Sequence, residues 1–254
     1  MTTITIITVE GKRFDTEAIL FDKDGTLINF YSIWGVWGDL LTKEIAIQIP
    51  ETINYDPHHA CERIGLDIVN QTWDPVGPLA IGNPDESATI LTHYLYQLGI
   101  PWDEAVTYLT KSLENIESTI DWKQYIKPID GLIEFINEAY QQQIKMAVVT
   151  ADSTQNALYH LQLLGIDHYF NTVIGFDSVT NGKPFPEMAQ TACQRLLVSP
   201  QQTILFGDSN GDMTLAKNAK LKAGIGIAQK SIDNAFYLRD TNLVIQDYRG
   251  CYIN

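Results

Sequence analysis

Apolar and β-branched residues gather first in two short runs, residues 4–9 and 13–21, separated by Glu10-Gly11-Lys12, the polar punctuation of a hairpin. The second run closes on Ala18-Ile-Leu-Phe21 and predicts a buried strand. Short apolar runs at 145–149, 203–206, 223–228 and 243–245 read the same way, and a further one covers 172–175. Around them lie segments whose apolar residues recur at helical spacing, at 132–140, 157–164, 187–197 and 213–219. Strands alternating with helices of about ten residues predict right-handed crossovers and a mostly parallel sheet, an α/β fold.

After Phe30 the texture changes. Strand-like runs vanish until about Tyr125, and helix-period segments replace them at 33–49, 59–69, 87–98 and 103–117. Pro75, Gly77, Pro78, Gly82 and Pro84 break this region in the middle, and Gly99-Ile-Pro101 separates its last two helices. The pattern predicts a helical domain, residues 30–125, inserted into an α/β domain formed by residues 1–29 and 126–254, with re-entry near Lys127-Pro128-Ile-Asp-Gly131. No internal repeat, heptad array or low-complexity tract is present.

Composition narrows the function classes. The 254 residues are 45% hydrophobic and 19% charged, ample apolar material for a packed interior. Lys and Arg number 17 against 31 Asp and Glu, a formal charge of −14, which repels nucleic acid and anionic lipid; neither a nucleic-acid nor a membrane partner is expected. A small anionic substrate remains compatible, because charge beyond roughly 8 Å is screened and a local cation reverses the sign within a pocket. Cys61, Cys193 and Cys251 lie far apart with no CxxC pattern and read as reduced, buried thiols. With no basic leader and no apolar run approaching ~18 residues, a cytoplasmic location is expected.

The candidate chemistry sits where strands end. The first buried strand runs into Asp22-Lys-Asp24-Gly-Thr26, two carboxylates two residues apart at the edge where open α/β sheets bind ligands. Asp22 is placed to accept loop amides, stay ionised, and serve as nucleophile or metal ligand. Met146-Ala-Val-Val149 delivers Thr150-Ala151-Asp152-Ser153 to a strand-to-helix junction, where a hydroxyl and free amides face an anion and Asp152 or Ser153 can cap the helix. Gly182-Lys183-Pro184 supplies one compact cation before the helix that opens at Pro186-Glu187. Thr203-Ile-Leu-Phe206 leads into Gly207-Asp208-Ser-Asn-Gly-Asp212, where Asp208 joining Asp22 would make an oxygen-only site for a hard cation such as Mg²⁺. An EF-hand calcium loop is disfavoured, since residues 215–221 carry no further ligand set.

In order and spacing, these four strings resemble the motifs of the haloacid dehalogenase superfamily of phosphohydrolases, and the helical insertion after the first resembles the cap of its phosphoglycolate phosphatase and β-phosphoglucomutase branch. The resemblance implies a Rossmann-like core flanked by helices and a Mg²⁺-dependent phosphatase, phosphoglycolate phosphatase-like, that hydrolyses a small-molecule phosphate monoester through an aspartyl-phosphate. It implies that Asp22 attacks phosphorus, that Asp24 is general acid and base, and that Thr150 and the Ala151 amide hold the phosphoryl group while Lys183 balances its charge. Asp22, Asp208 and the main-chain carbonyl of Asp24 would hold the metal, with Asp212 orienting Lys183 or a bound water. Dehalogenases of the superfamily lack an acid at the place of Asp24, so its presence points to phosphoryl chemistry. Lys23 matches the Asp-Lys-Thr-Gly-Thr of membrane cation pumps but stands where the phosphatases usually carry an apolar residue, and its side chain is expected to point away from the pocket.

Within the insertion, Lys43, Arg63 and Lys111 read as solvated surface cations, His58 and His59 as a neutral surface pair, and Trp34 and Trp37 as core aromatics rather than a pocket wall. Two other functions remain open: a sugar phosphomutase, which shares every core residue named, and a catalytically silent binding or regulatory protein, against which the intact acid set argues. A receiver-like signalling domain has no such insertion and is about half this length.

Overall fold

The computed structural model describes residues 5–229, 235–241 and 243–254; Ile4, expected in the first strand, lies outside them. Two compact units emerge, one of residues 1–29 with 126–254 and the other Phe30–Tyr125.

The first unit is built on a parallel sheet. β1 (Thr5–Val9) and β2 (Lys12–Thr16) pair antiparallel and are followed by β3 (Ala18–Phe21). The expected run 13–21 is therefore two strands. The break falls at Glu17, whose N–H donates to the Gln202 carbonyl at 2.8 Å while Thr16 Oγ1 donates to the carbonyls of Gln202 and Ala18. A contact remote in sequence thus moves the chain from one sheet to the next. β3 then lies in a six-stranded sheet with β6 (Lys145–Val149), β7 (Thr172–Ile174), β8 (Thr203–Gly207), β9 (Ala223–Ile227) and β10 (Val244–Ile245). The two short strands of the helical unit, β4 (Leu66–Asp67) and β5 (Thr72–Trp73), are described below. The order is β10-β9-β8-β3-β6-β7 with every pairing parallel. β11 (Cys251–Ile253), too short to read from the sequence, pairs with β1 in a separate three-stranded sheet.

Both faces of the parallel sheet are covered. Ala18 and Leu20 pack with Ala147, Val149 and Leu205 against two helices, Glu187–Leu196 and Asn210–Asn218. Phe21 on the opposite face stacks on Phe206 at 5.5 Å and meets Phe135 of the helix Leu132–Gln141, itself stacked on Tyr248. Each such buried aromatic or aliphatic side chain contributes about 1.5–3 kcal/mol, so β3, buried at all four positions, is fixed in register from both sides. The crossover after β6 is the helix Thr154–Leu163.

The second unit is mostly helical. A π-turn, Tyr31–Gly35, leads into a helix Val36–Gln48, and helices Pro57–Arg63, Pro78–Ile81, Pro84–Gln97 and Trp102–Thr119 follow. Trp37, Leu41, Ile45, Cys61, Leu95 and Leu109 form its core, with Trp34 partly buried against it 5.8 Å from Trp37. Two expectations need correction. The helix expected over 59–69 stops at Arg63, and the chain turns through Gly65 into the β4–β5 hairpin, Leu66 opposite Trp73, so strands are not wholly missing from this region. His58 and His59 are exposed, Lys43 pairs with Asp39, and Arg63 lies over the Tyr94 ring.

Candidate active site

Parallel pairing brings the chemistry to one edge. Phe21 is opposite both Phe206 and Val148, so the loops that follow β3, β8 and β6 leave the sheet side by side. The Asp22 N–H donates to the Phe206 carbonyl at 2.9 Å, the last ladder bond before the loop opens. The Lys23 carbonyl then accepts the N–H groups of Thr26, Leu27 and Ile28, folding the chain into a tight turn through Gly25 at φ +81°. A Cβ on Gly25 would lie 1.8 Å from Oδ2 of Asp208, so the residue is bare where that carboxylate rests against the turn.

Carboxylate oxygens of Asp22, Asp208 and Asp212 lie within 4.8 Å of one another. Lys183 enters this acid cluster with Nζ 2.5 Å from Asp22 Oδ1 and 2.6 Å from Asp212 Oδ1. The other oxygen of Asp212 accepts the Ser209 hydroxyl at 2.6 Å and its N–H at 3.2 Å, in a capping box that starts the helix Asn210–Asn218. Among the described residues no loop amide donates to the Asp22 carboxylate; its partner is Lys183, which corrects the expectation of an amide cradle. Thr150 is buried at the end of β6 with Oγ1 accepting the Asp152 N–H, and Ala151 beside it is exposed.

The electrostatics follow from crowding like charges in a dry place. Burial lifts Asp22 to about 7; Lys183 pulls it down, and Asp212 and Asp24 push it up. Asp208 is raised well above the usual carboxylate range by burial and then by Asp22 and Asp212. Burial disfavours the Lys183 ammonium, but Asp212 and Asp22 outweigh it and raise its pKa. The three acids around this lysine offer oxygen donors only, and a bound cation would relieve the crowding that raises Asp22 and Asp208. That donor set, with Asp208 seated on the bare Gly25 turn, fits a hard divalent cation.

Sequence gives no role at this site to Lys23, whose side chain it expects to point away from the pocket, or to His160 and Gln229. Lys23 is wholly buried, its Nζ 2.7 Å from Asp24 Oδ1, 3.1 Å from Asp152 Oδ2 and 3.1 Å from His160 Nδ1. His160 occupies the core face of its helix with Ala157 and Leu161, a polar residue at an apolar helical position. Gln229, two residues beyond β9, donates from Nε2 to the Gly25 carbonyl at 2.9 Å. Only the lysine inside an otherwise buried run carried a signal of this.

Comparison with known proteins places this geometry. A family model described as haloacid dehalogenase-like hydrolase matches residues 89–225, more than half of the chain. The chain belongs to this family. Among curated relatives, Pyrophosphatase PpaX of Halalkalibacterium halodurans is 32% identical over 39% of this chain and 46% of its own length. Phosphorylated carbohydrates phosphatase of Thermotoga maritima is 28% identical over 54% of this chain and 68% of its own. The chain thus spans about half the length of the PpaX relatives it matches. A putative β-phosphoglucomutase from Thermotoga maritima shares the fold at TM-score 0.67 and 20% identity, over 91% of this chain and 94% of that one. A predicted phosphoglycolate phosphatase from Haemophilus somnus does so at 0.63 and 19%, over 92% and 95%. Among the described residues no helix is long and apolar enough to cross a membrane.

Proposed function

We propose that this haloacid dehalogenase-like hydrolase is a Mg²⁺-dependent phosphatase that releases phosphate from a small-molecule monoester through an aspartyl-phosphate on Asp22. The observation that carries the reading is the Asp22 carboxylate at a strand end, held by Lys183 on one oxygen and flanked by Asp208 and Asp212. Asp22 attacks phosphorus as the ester oxygen leaves, and Asp24 gives that oxygen its proton. Asp24 then takes a proton from the water that attacks phosphorus and frees Asp22. Lys183, the Thr150 hydroxyl and the Ala151 amide face the phosphoryl oxygens, and Asp212 holds Lys183 in line through its 2.6 Å contact. Asp22, Asp208 and the Asp24 main-chain carbonyl would hold Mg²⁺, which would supply positive charge to offset the repulsion between carboxylate and phosphate. The helical unit is assigned the role of a cap, and the protein a cytoplasmic location.

Names of the relatives direct the substrate search to pyrophosphate, phosphorylated carbohydrates and phosphoglycolate. The test is phosphate release from a panel of such compounds with Mg²⁺ and with EDTA, for wild type and Asp22→Asn. Metal-dependent release lost in the variant is expected. Substantial turnover by Asp22→Asn removes the nucleophile, and no release from any compound by wild type removes the activity.

A further inference from the structure

An ammonium group sealed from solvent needs an acceptor for each of its three N–H bonds. Lys23 has three: Asp24 Oδ1 at 2.7 Å, Asp152 Oδ2 at 3.1 Å and His160 Nδ1 at 3.1 Å. Two of these acceptors are themselves anchored. Asp152 accepts the Ser153 N–H on Oδ1 at 2.7 Å and the Asn156 amide on Oδ2 at 2.8 Å, and His160 is buried on the helix Thr154–Leu163. The imidazole presents a lone pair at Nδ1, as a neutral ring does when it accepts from an ammonium. The third acceptor, Asp24, follows the nucleophile by two residues and has a side chain 18% exposed.

We propose that Lys23 is a positioning residue for Asp24, tying the carboxylate to Asp152 and to His160 of that helix so that Oδ1 is committed and Oδ2 faces the leaving-group oxygen. This inference rests on the phosphatase reading above and deepens it. Asp152 and His160 satisfy two of the three N–H bonds, and the third goes to the acid beside the nucleophile rather than to a main-chain carbonyl or a group outside the site. Engaging Asp24 as well confines the acid to one orientation, which matters in the steps where Asp24 moves a proton and not in the attack by Asp22. The role is therefore selective in the first step: there an ester whose leaving group needs a proton depends on it and one whose leaving group departs as a stable anion does not, whereas hydrolysis of the aspartyl-phosphate is common to both.

The experiment compares kcat/KM on an alkyl phosphate, glycerol phosphate, with kcat/KM on p-nitrophenyl phosphate, in the full-length protein with Mg²⁺, because kcat/KM reads the steps up to departure of the leaving group and not the hydrolysis common to both. General acid catalysis contributes about 10²–10⁴-fold, and displacing the acid forfeits a part of it. Lys23→Met is expected to lower the alkyl-to-aryl ratio of kcat/KM by at least tenfold. His160→Leu, which removes one acceptor and leaves the lysine, is expected to lower the ratio several-fold, and His160→Asn, which keeps an acceptor near Nδ1, to restore it. In an Asp24→Asn background, Lys23→Met should change the ratio no further. Equal losses on both esters, or an unchanged ratio in Lys23→Met and His160→Leu, overturn the positioning role. Should Lys23→Met not fold, the two His160 variants decide alone. Wild type that hydrolyses neither ester overturns the phosphatase reading, and this inference with it.

Discussion

Replacing Gly25 by alanine adds one methyl group where the structure has no room for it. The new Cβ would stand 1.8 Å from Oδ2 and 2.3 Å from Cγ of Asp208, against an ordinary contact of roughly 3.5 Å, so that carboxylate or the turn must move by more than about 1 Å. The backbone at φ +81° adds about 1–2 kcal/mol of strain for a residue with a side chain. Gly165 makes a matched control, because its φ of +69° carries similar strain while nothing lies within 4 Å of its Cβ position. Both variants should lose about 1–2 kcal/mol in urea unfolding. Only Gly25→Ala should lose activity, about 10²-fold in kcat, since a displacement of 1 Å in a reacting constellation is sufficient for that. It should also need at least tenfold more Mg²⁺ for half-maximal rate. Gly25→Ala with kcat and metal requirement within twofold of wild type would show that the position of Asp208 against the turn has no bearing on the reaction.

Further tests probe the charges. Asp22→Asn should reduce phosphate release at least 10³-fold in a steady-state assay while its circular dichroism stays that of wild type. Saturating Mg²⁺, at 100 times its dissociation constant, should stabilise wild type by about 2.7 kcal/mol in thermal unfolding; an Asp208→Ala variant that gains as much would place the ion elsewhere. The His160 imidazole is held down to about 4 by burial and by the Lys23 ammonium, against 6.5 when free. Because the folded value is the lower one, the unfolded chain binds the extra proton first. Stability from this group is complete above about pH 6.5 and is lost as pH falls toward 4, by about 3 kcal/mol. Asp22, raised to about 7, acts in the opposite direction, so the difference between wild type and His160→Asn is the quantity to follow. Urea unfolding at pH 7 and pH 4 should show the variant gaining about 3 kcal/mol on wild type over that span. Parallel pH profiles would refute the assignment.

The parallel strands were legible because they are short, apolar and bounded by polar loops, and the acids were legible because each directly follows such a strand. What could not be read depended on partners remote in the chain. The change of sheet at Glu17 is made by Gln202, and nothing in residues 13–21 announces it. β11 has three residues whose pairing with β1 appears only once the fold exists. The helix expected to reach Val69 ends at Arg63 because Leu66 and Trp73 find each other across a hairpin. Lys23 defied the usual rule that lysine stays outside, since its three acceptors are Asp24 and, well over a hundred residues further on, Asp152 and His160. The acid cluster itself, by contrast, needed only the register that places Phe21 against Phe206.

Where the chain departs for its helical excursion and where it comes back are almost the same point. The Asn29 N–H donates to the Lys127 carbonyl at 2.8 Å, the Ile129 N–H to the Leu27 carbonyl at 3.1 Å, and Ile28 bridges to Pro128. For the sheet, everything between those bonds is a closed loop, and closing a loop twice as long costs only about 0.6 kcal/mol more. The scaffold is thermodynamically almost indifferent to how much sequence is spliced in there, so natural variation at that splice can remodel the insert freely while the acids keep their places.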